Sequence, residues 1–207
     1  MAFKIQDFKN QLVYGGARPS LFQIEMDLPT QLQEAVNNGV DGRGLAGAGI
    51  AEKISFMCNA ASIPASKLGM ISVPYFGRKV KVAGNRTFDE PWRITILNDE
   101  DFLVRKAFEH WMAAINGHAT NVRNSGVNAG PSSYQTSAYV KHYSKGPVES
   151  PIRAYKFVNV FPTEVSEIKL AWEDTDKIET FDVTLEYDYW EIDTNGDISA
   201  PEGNKNA

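Results

Sequence analysis

A single cysteine, Cys58, leaves this chain of 207 residues without an intramolecular disulfide or a multi-cysteine zinc site, and suits a reducing compartment. Long apolar runs are missing too. No stretch approaches the ~18 residues of a membrane span, and the opening Met1 to Asn10 lacks the apolar centre of a secretory signal, so a soluble chain made in the cytoplasm and not inserted in membranes is expected. Positive charge is in deficit: 21 Lys and Arg stand against 26 Asp and Glu, a formal net charge of −5. That sign excludes a whole-surface grip on nucleic acid phosphates. The three histidines, His110, His118 and His142, fall on separate segments with no metal-ligand spacing. No Gly-x-Ser-x-Gly elbow occurs and no neighbouring histidine activates Cys58, so nucleophilic catalysis has little support and no cofactor is expected.

What is present is a globular composition, 43% apolar and 23% charged, long enough for one sizeable core. Phe22, Ile24, Met26 and Leu28 alternate with polar residues as a half-buried strand does, until Pro29. A glycine- and alanine-rich stretch at about 30–53 reads as a loop or arm, densest in small residues from Asn38 to Gly49. Alternation resumes at Ile54, Phe56 and Cys58. Ser62 to Pro74 is turn-prone. Lys79 to Val82, ending at Gly84-Asn85, then forms a hairpin whose partner strand is Trp92, Ile94 and Ile96.

One strong helix is predicted at about 99–115, capped by Asn98 and acidic in its first turn, with a core stripe of Val104, Phe108, Trp111 and Ile115. Further strands are expected at Ala138 to Tyr143, Tyr155 to Phe161 and Ile168 to Trp172. A long closing strand places Phe181, Val183, Leu185, Tyr187 and Tyr189 on one face. The sum is about seven strands and one inserted helix: a mainly β protein, an antiparallel sandwich or barrel. Residues 1–192 form its domain and 193–207 a polar tail.

Two motif spellings fail on context. Gly42-Arg-Gly44-Leu-Ala-Gly47 matches a dinucleotide fingerprint, but no apolar strand precedes it. Asp193-Thr-Asn195-Gly-Asp197 opens like a calcium loop, but Ile198 stands where glycine permits the turn and Asn204 where a bidentate glutamate belongs. Asp182, Glu186 and Asp188, on the outward face of the closing strand, could serve a sugar hydrolase as a carboxylate pair, although a solvated strand face is the simpler reading. Arg78, Lys79, Lys81 and Arg86 form the main basic cluster, suited to an acidic partner at least as well as to nucleic acid.

The segment Ser72 to Asp99, with Val-Pro-Tyr-Phe-Gly-Arg-Lys-Val-Lys-Val-Ala-Gly-Asn-Arg-Thr-Phe-Asp at its centre, resembles the signature of the tail tube proteins of contractile-tailed bacteriophages. Ala17-Arg-Pro-Ser-Leu-Phe22, Phe161-Pro-Thr163 and Thr180 to Glu191 resemble other stretches of that family, in the same order. The resemblance implies a structural virion protein without cofactor. Hexameric rings stack into a hollow tube, each subunit lending strands to a ring-wide barrel through which DNA passes without specific binding. The implied partners are further copies of the chain, the tail sheath, and the baseplate, tape-measure and tail terminator proteins; the implied location is the virion tail, assembled in the host cytoplasm. The acidic residues of the closing strand would then line the lumen or an interface, and the basic cluster would lie between subunits. Two other readings are a tube subunit of a type VI secretion or tailocin particle, and a sandwich-fold carbohydrate-active or sugar-binding protein.

Overall fold

Strands with one apolar face need a second layer to cover it, and the computed structural model supplies that layer partly from helices. It describes residues 4–12, 15–29, 47–123, 130–146, 151–173 and 175–193. In chain order these form α1 (Ile5–Gln11), β1 (Phe22–Met26), α2 (Gly47–Met57), β2 (Cys58–Ala61), β3 (Lys67–Tyr75) and β4 (Arg78–Thr87). There follow β5 (Trp92–Leu97), α3 (Leu103–Ile115), β6 (Thr136–His142), β7 (Arg153–Val165), β8 (Thr180–Glu186) and β9 (Tyr189–Ile192). The fold is mainly β and antiparallel. Its main sheet runs β1-β6-β7-β8-β5-β2, with β9 also paired to β7, while β3 and β4 form a sheet of their own. The main sheet ends on β1 and β2 and does not close into a barrel within the subunit.

β7 joins the two halves of that sheet. Its first half pairs with β6 and β9, and its second half with β8. Asn159 sits at the changeover with φ 60°, a left-handed conformation that asparagine tolerates better than most residues. Its side-chain amide donates to Asp188 at 2.6 Å, and the Asp188 N–H donates to the Val158 carbonyl at 3.1 Å. The closing strand is thereby kinked into β8 and β9. Tyr189, expected inside, is 43% exposed, and Trp190 packs against the core in its place. A kink that consumes one residue reverses which side chains face inward.

The core joins inward residues of the strands, such as Ile24, Ile94, Val140, Phe157 and Val183, to Ile50 and Ile54 of α2 and to Val104, Phe108 and Trp111 of α3. The predicted stripe of α3 therefore stands, with Ile115 partly buried. Its start does not. Asn98 is buried and ties its amide to Glu179 at 2.9 Å, so the helix begins at Leu103, whose N–H donates to Asp101 at 2.8 Å.

Four other expectations are corrected. Ile54 and Phe56 lie on a helix, because the effective spacing is Ile50 to Ile54, one turn apart, and Phe56 is 75% exposed. Residues 47–53 of the expected arm begin that helix, while 30–46 lie outside the described residues. Ile168 to Trp172 is not a strand: Leu170 and Trp172 are exposed on a loop. The partner of β4 is β3, drawn from the stretch read as turn-prone, and β5 pairs with β2 and β8 instead.

Candidate assembly surfaces

The β3–β4 hairpin projects from the body. All its residues are exposed except the half-buried Gly84. It closes on a two-residue turn, Phe76-Gly77, both at positive φ (41° and 79°), the backbone that matches strand twist in tight hairpins. Opposed residues in an antiparallel pair share a face, so the register assigns every side chain. Ile71 opposite Val82, Val73 opposite Val80 and Tyr75 opposite Arg78 make one face apolar. Pro74 opposite Lys79, Ser72 opposite Lys81 and Leu68 opposite Arg86 make the other basic. A bulge at Gly84-Asn85 turns Arg86 to the side of Lys79 and Lys81. The backbones meet so closely there that a Cβ on Gly69 would stand 3.0 Å from the Asn85 carbonyl.

The predicted basic cluster is thus divided. Arg78 lies on the apolar face, and Arg86 is held at the base by Ser66 at 2.8 Å. Lys79 and Lys81 make no ion pair among the described residues. The base itself is anchored by Lys67 to Glu90 at 2.6 Å and by the Trp190 indole to the Ala65 carbonyl at 3.2 Å. Sequence reasoning missed the β3 half because Pro64, Gly69 and Pro74 punctuate it. The alternation Ile71, Val73, Tyr75 was the signal, since proline is tolerated on an edge strand.

The second surface is the outer face of β5, β8 and β7. Asp182, Thr184 and Glu186 share it with Thr95 and Arg93 of β5 and Glu164 of β7. Asp182 accepts from the Thr95 hydroxyl at 2.6 Å. Asp188 does not join this face: it is engaged by Asn159 at the kink. Three carboxylates against one guanidinium give the surface negative charge, and at its Asp182 end it borders a groove of about 470 Å³ lined by residues 166–172 and 177–182.

A third feature fixes α2. Lys53 pairs with Asp99 at 2.5 Å and with Asp101, on the turn leading into α3. The Asp101 carboxyl is pulled down to about 2 by its hydrogen bond with Asp99, helped by Lys53 and the Leu103 N–H against partial desolvation. A carboxyl held below its unfolded value stabilises the fold above that value, and the contribution is lost as pH falls through the folded one. The tether is therefore fully present above about pH 4 and disappears towards pH 2. Lys53→Met is expected to cost about 1 kcal/mol at pH 7, or about 2–4 °C in Tm, and to flatten the Tm profile between pH 4 and 2. Parallel profiles for the two proteins would show that the tether does not contribute.

Chemistry has little footing elsewhere. Burial pushes the Cys58 thiol up to about 12, so it packs as a small apolar group rather than acting as a nucleophile. His110 lies on α3, His118 in a turn and His142 at the end of β6. No group of three or more His, Cys, Asp or Glu among the described residues is placed to hold a metal ion. Of the calcium-like stretch only Asp193 is described.

Comparison with known proteins points one way. The family described as phage tail tube protein matches residues 17–193. The tail tube protein of Enterobacteria phage T4 is 31% identical over 175 residues, covering 84% of this chain and 91% of that protein. Its counterpart in Enterobacteria phage T6 is 30% identical over the same shares. Among solved structures, a chain of the tube-terminating cap of the anti-feeding prophage superposes with a TM-score of 0.52 at 13% identity, over 85% of this chain and 89% of that one. That last likeness is one of fold.

Proposed function

The chain belongs to the phage tail tube protein family, and on that premise we propose that it is the repeating subunit of the inner tube of a contractile tail. It is a structural protein of the virion tail, like its relatives, and not an enzyme. In the proposed assembly six copies close a ring and rings stack into a tube. The sheath surrounds it, the baseplate and the terminator bound its ends, and the tape-measure protein and then DNA occupy its lumen.

The observation that carries the assembly is the projecting hairpin. A two-stranded sheet alone is marginally stable in water, yet this one presents Ile71, Val73, Val80 and Val82 on one face, about half exposed, with no other described element over them. Such a face is satisfied by contact between copies. The open main sheet supports the ring. If β2, β5, β8 and β7 of each subunit join edge to edge, six copies give a circumference of about 150 Å at ~4.8 Å strand spacing and ~40° tilt. The backbone diameter is then about 48 Å, which clears a DNA duplex after side chains are counted. The acidic outer face of β8 then lines the lumen, where negative charge prevents the phosphate binding that would stall transit.

Negative-stain electron microscopy of the purified protein is expected to show rings or tubes. Sedimentation as a strict monomer at high concentration, in several salts, would sink the reading.

A further inference from the structure

Charge in this chain is segregated. Five of its 21 Lys and Arg residues lie between Lys67 and Thr87, and none of its 26 Asp and Glu residues do. The hairpin therefore carries +5 and the remainder of the chain −10. A surface so opposed in sign to the body that bears it is complementary to another copy of that body. The tip adds an apolar anchor: Phe76, 92% exposed, packs edge-on against Tyr75 with ring centroids 4.7 Å apart.

The body offers a matching receptor. Between β1 and α2 runs a groove of about 350 Å³, lined by Met26, Phe56 and Tyr139 and edged by Glu25, Asp27 and Glu52. No cation lines it, and Lys141 is already paired with Glu25 at 2.6 Å. Phe56 leaves most of its ring in water at the groove wall, on the helix whose other side is buried through Ile50 and Ile54. An exposed aromatic ring beside the carboxylates of Asp27 and Glu52 suits an aromatic tip flanked by lysines.

We propose that the hairpin of one subunit docks head-to-tail on a second copy, Phe76 entering the β1–α2 groove against Phe56 while Lys79 and Lys81 meet Asp27 and Glu52. The inference rests on the tube reading above and assigns which two surfaces meet. The contact is heterologous, so each subunit gives its hairpin to one neighbour and its groove to another, and the contact propagates around a ring or from ring to ring.

Charge reversal and its repair test it. Lys79→Glu with Lys81→Glu, and separately Asp27→Lys with Glu52→Lys, are expected to raise the critical concentration for assembly at least tenfold at low salt, with the monomer's circular dichroism and Tm unchanged. Mixing the two variants one to one pairs each reversed surface with its complement, and so does combining all four substitutions in one chain. Both are expected to restore assembly to within about threefold of the original protein. Two outcomes overturn the pairing: either double variant assembling normally, or folded single-surface variants that neither the mixture nor the combination rescues. A failure of the unsubstituted protein to assemble at any concentration is a different result, and removes the tube reading on which the pairing stands. As a direct measure, Arg78→Cys and Ala51→Cys proteins, which keep both aromatic rings and each also carry Cys58→Ala, are mixed, assembled and treated with a short bismaleimide. Dimers linking the two variants are expected. A product confined to single chains would overturn the proposal.

Discussion

Trp92→Ala is expected to cost the subunit about 3–5 kcal/mol, the range for truncating a large buried aromatic side chain. Trp92 is 2% exposed, stacks on Phe157 with centroids 4.3 Å apart, and donates from its indole to the Ser62 carbonyl at 3.0 Å. Truncation therefore opens a cavity between β5 and β7 and leaves a carbonyl unpartnered at the approach to the hairpin. Against a total of about 5–15 kcal/mol for a domain, a loss of that size removes about a fifth or more of the stability. Urea denaturation is the measurement, with a large fall in the midpoint and little change in slope as the expected result. Trp172→Ala supplies the contrast: its side chain is 102% exposed, and the expected change is within about 0.5 kcal/mol. A fall of less than 1 kcal/mol for Trp92→Ala would contradict the packing of β5 against β7.

Charge reversal on the outer face of β8 is expected to leave assembly nearly intact and to slow DNA passage. Asp182 is exposed and Glu186 half-buried, and neither makes an ion pair among the described residues. Replacing both with lysine then costs little stability, since exposed charges contribute about 0–1 kcal/mol each. Six subunits per ring would repeat the change along the tube and present the passing phosphates with cations. The slowing should be severe at low ionic strength and should fade as salt screens it over about 10 Å at 0.1 M. Ejection kinetics of particles carrying Asp182→Lys and Glu186→Lys, followed across a salt series, provide the check. Failure of the tubes to form would place this face in an interface instead. Normal tubes with unchanged ejection at low salt would return these carboxylates to an ordinary solvated strand face.

Period-two patterns determined β1, β5 and β6 from the residues alone, because each buries one face against a core and must alternate, whereas β7, legible as a strand, buries Ala154, Phe157, Val160 and Pro162 without alternating. The stripe of α3 was equally legible, since Val104, Phe108 and Trp111 recur at helical spacing whatever surrounds them. The family was also legible, in collinear stretches that the match over residues 17–193 spans. Tertiary structure decided the rest. Ile54, Phe56 and Cys58 satisfy strand spacing, and only the buried position of Ile50 one turn earlier makes the segment helical. Tyr189 satisfies it too, until the bond between Asn159 and Asp188 kinks the closing strand and puts Trp190 against the core. The placing of Arg86 on the side of Lys79 and Lys81 depended on a bulge, which shifts side-chain parity by one and cannot be counted without knowing which strand lies opposite. Local pattern records which side chains seek cover, whereas the identity of the cover comes from residues distant in the chain. For the hairpin no such residues lie among the described parts of its own subunit, which is why its partner β3 and its unmet apolar face became visible only once the chain was folded.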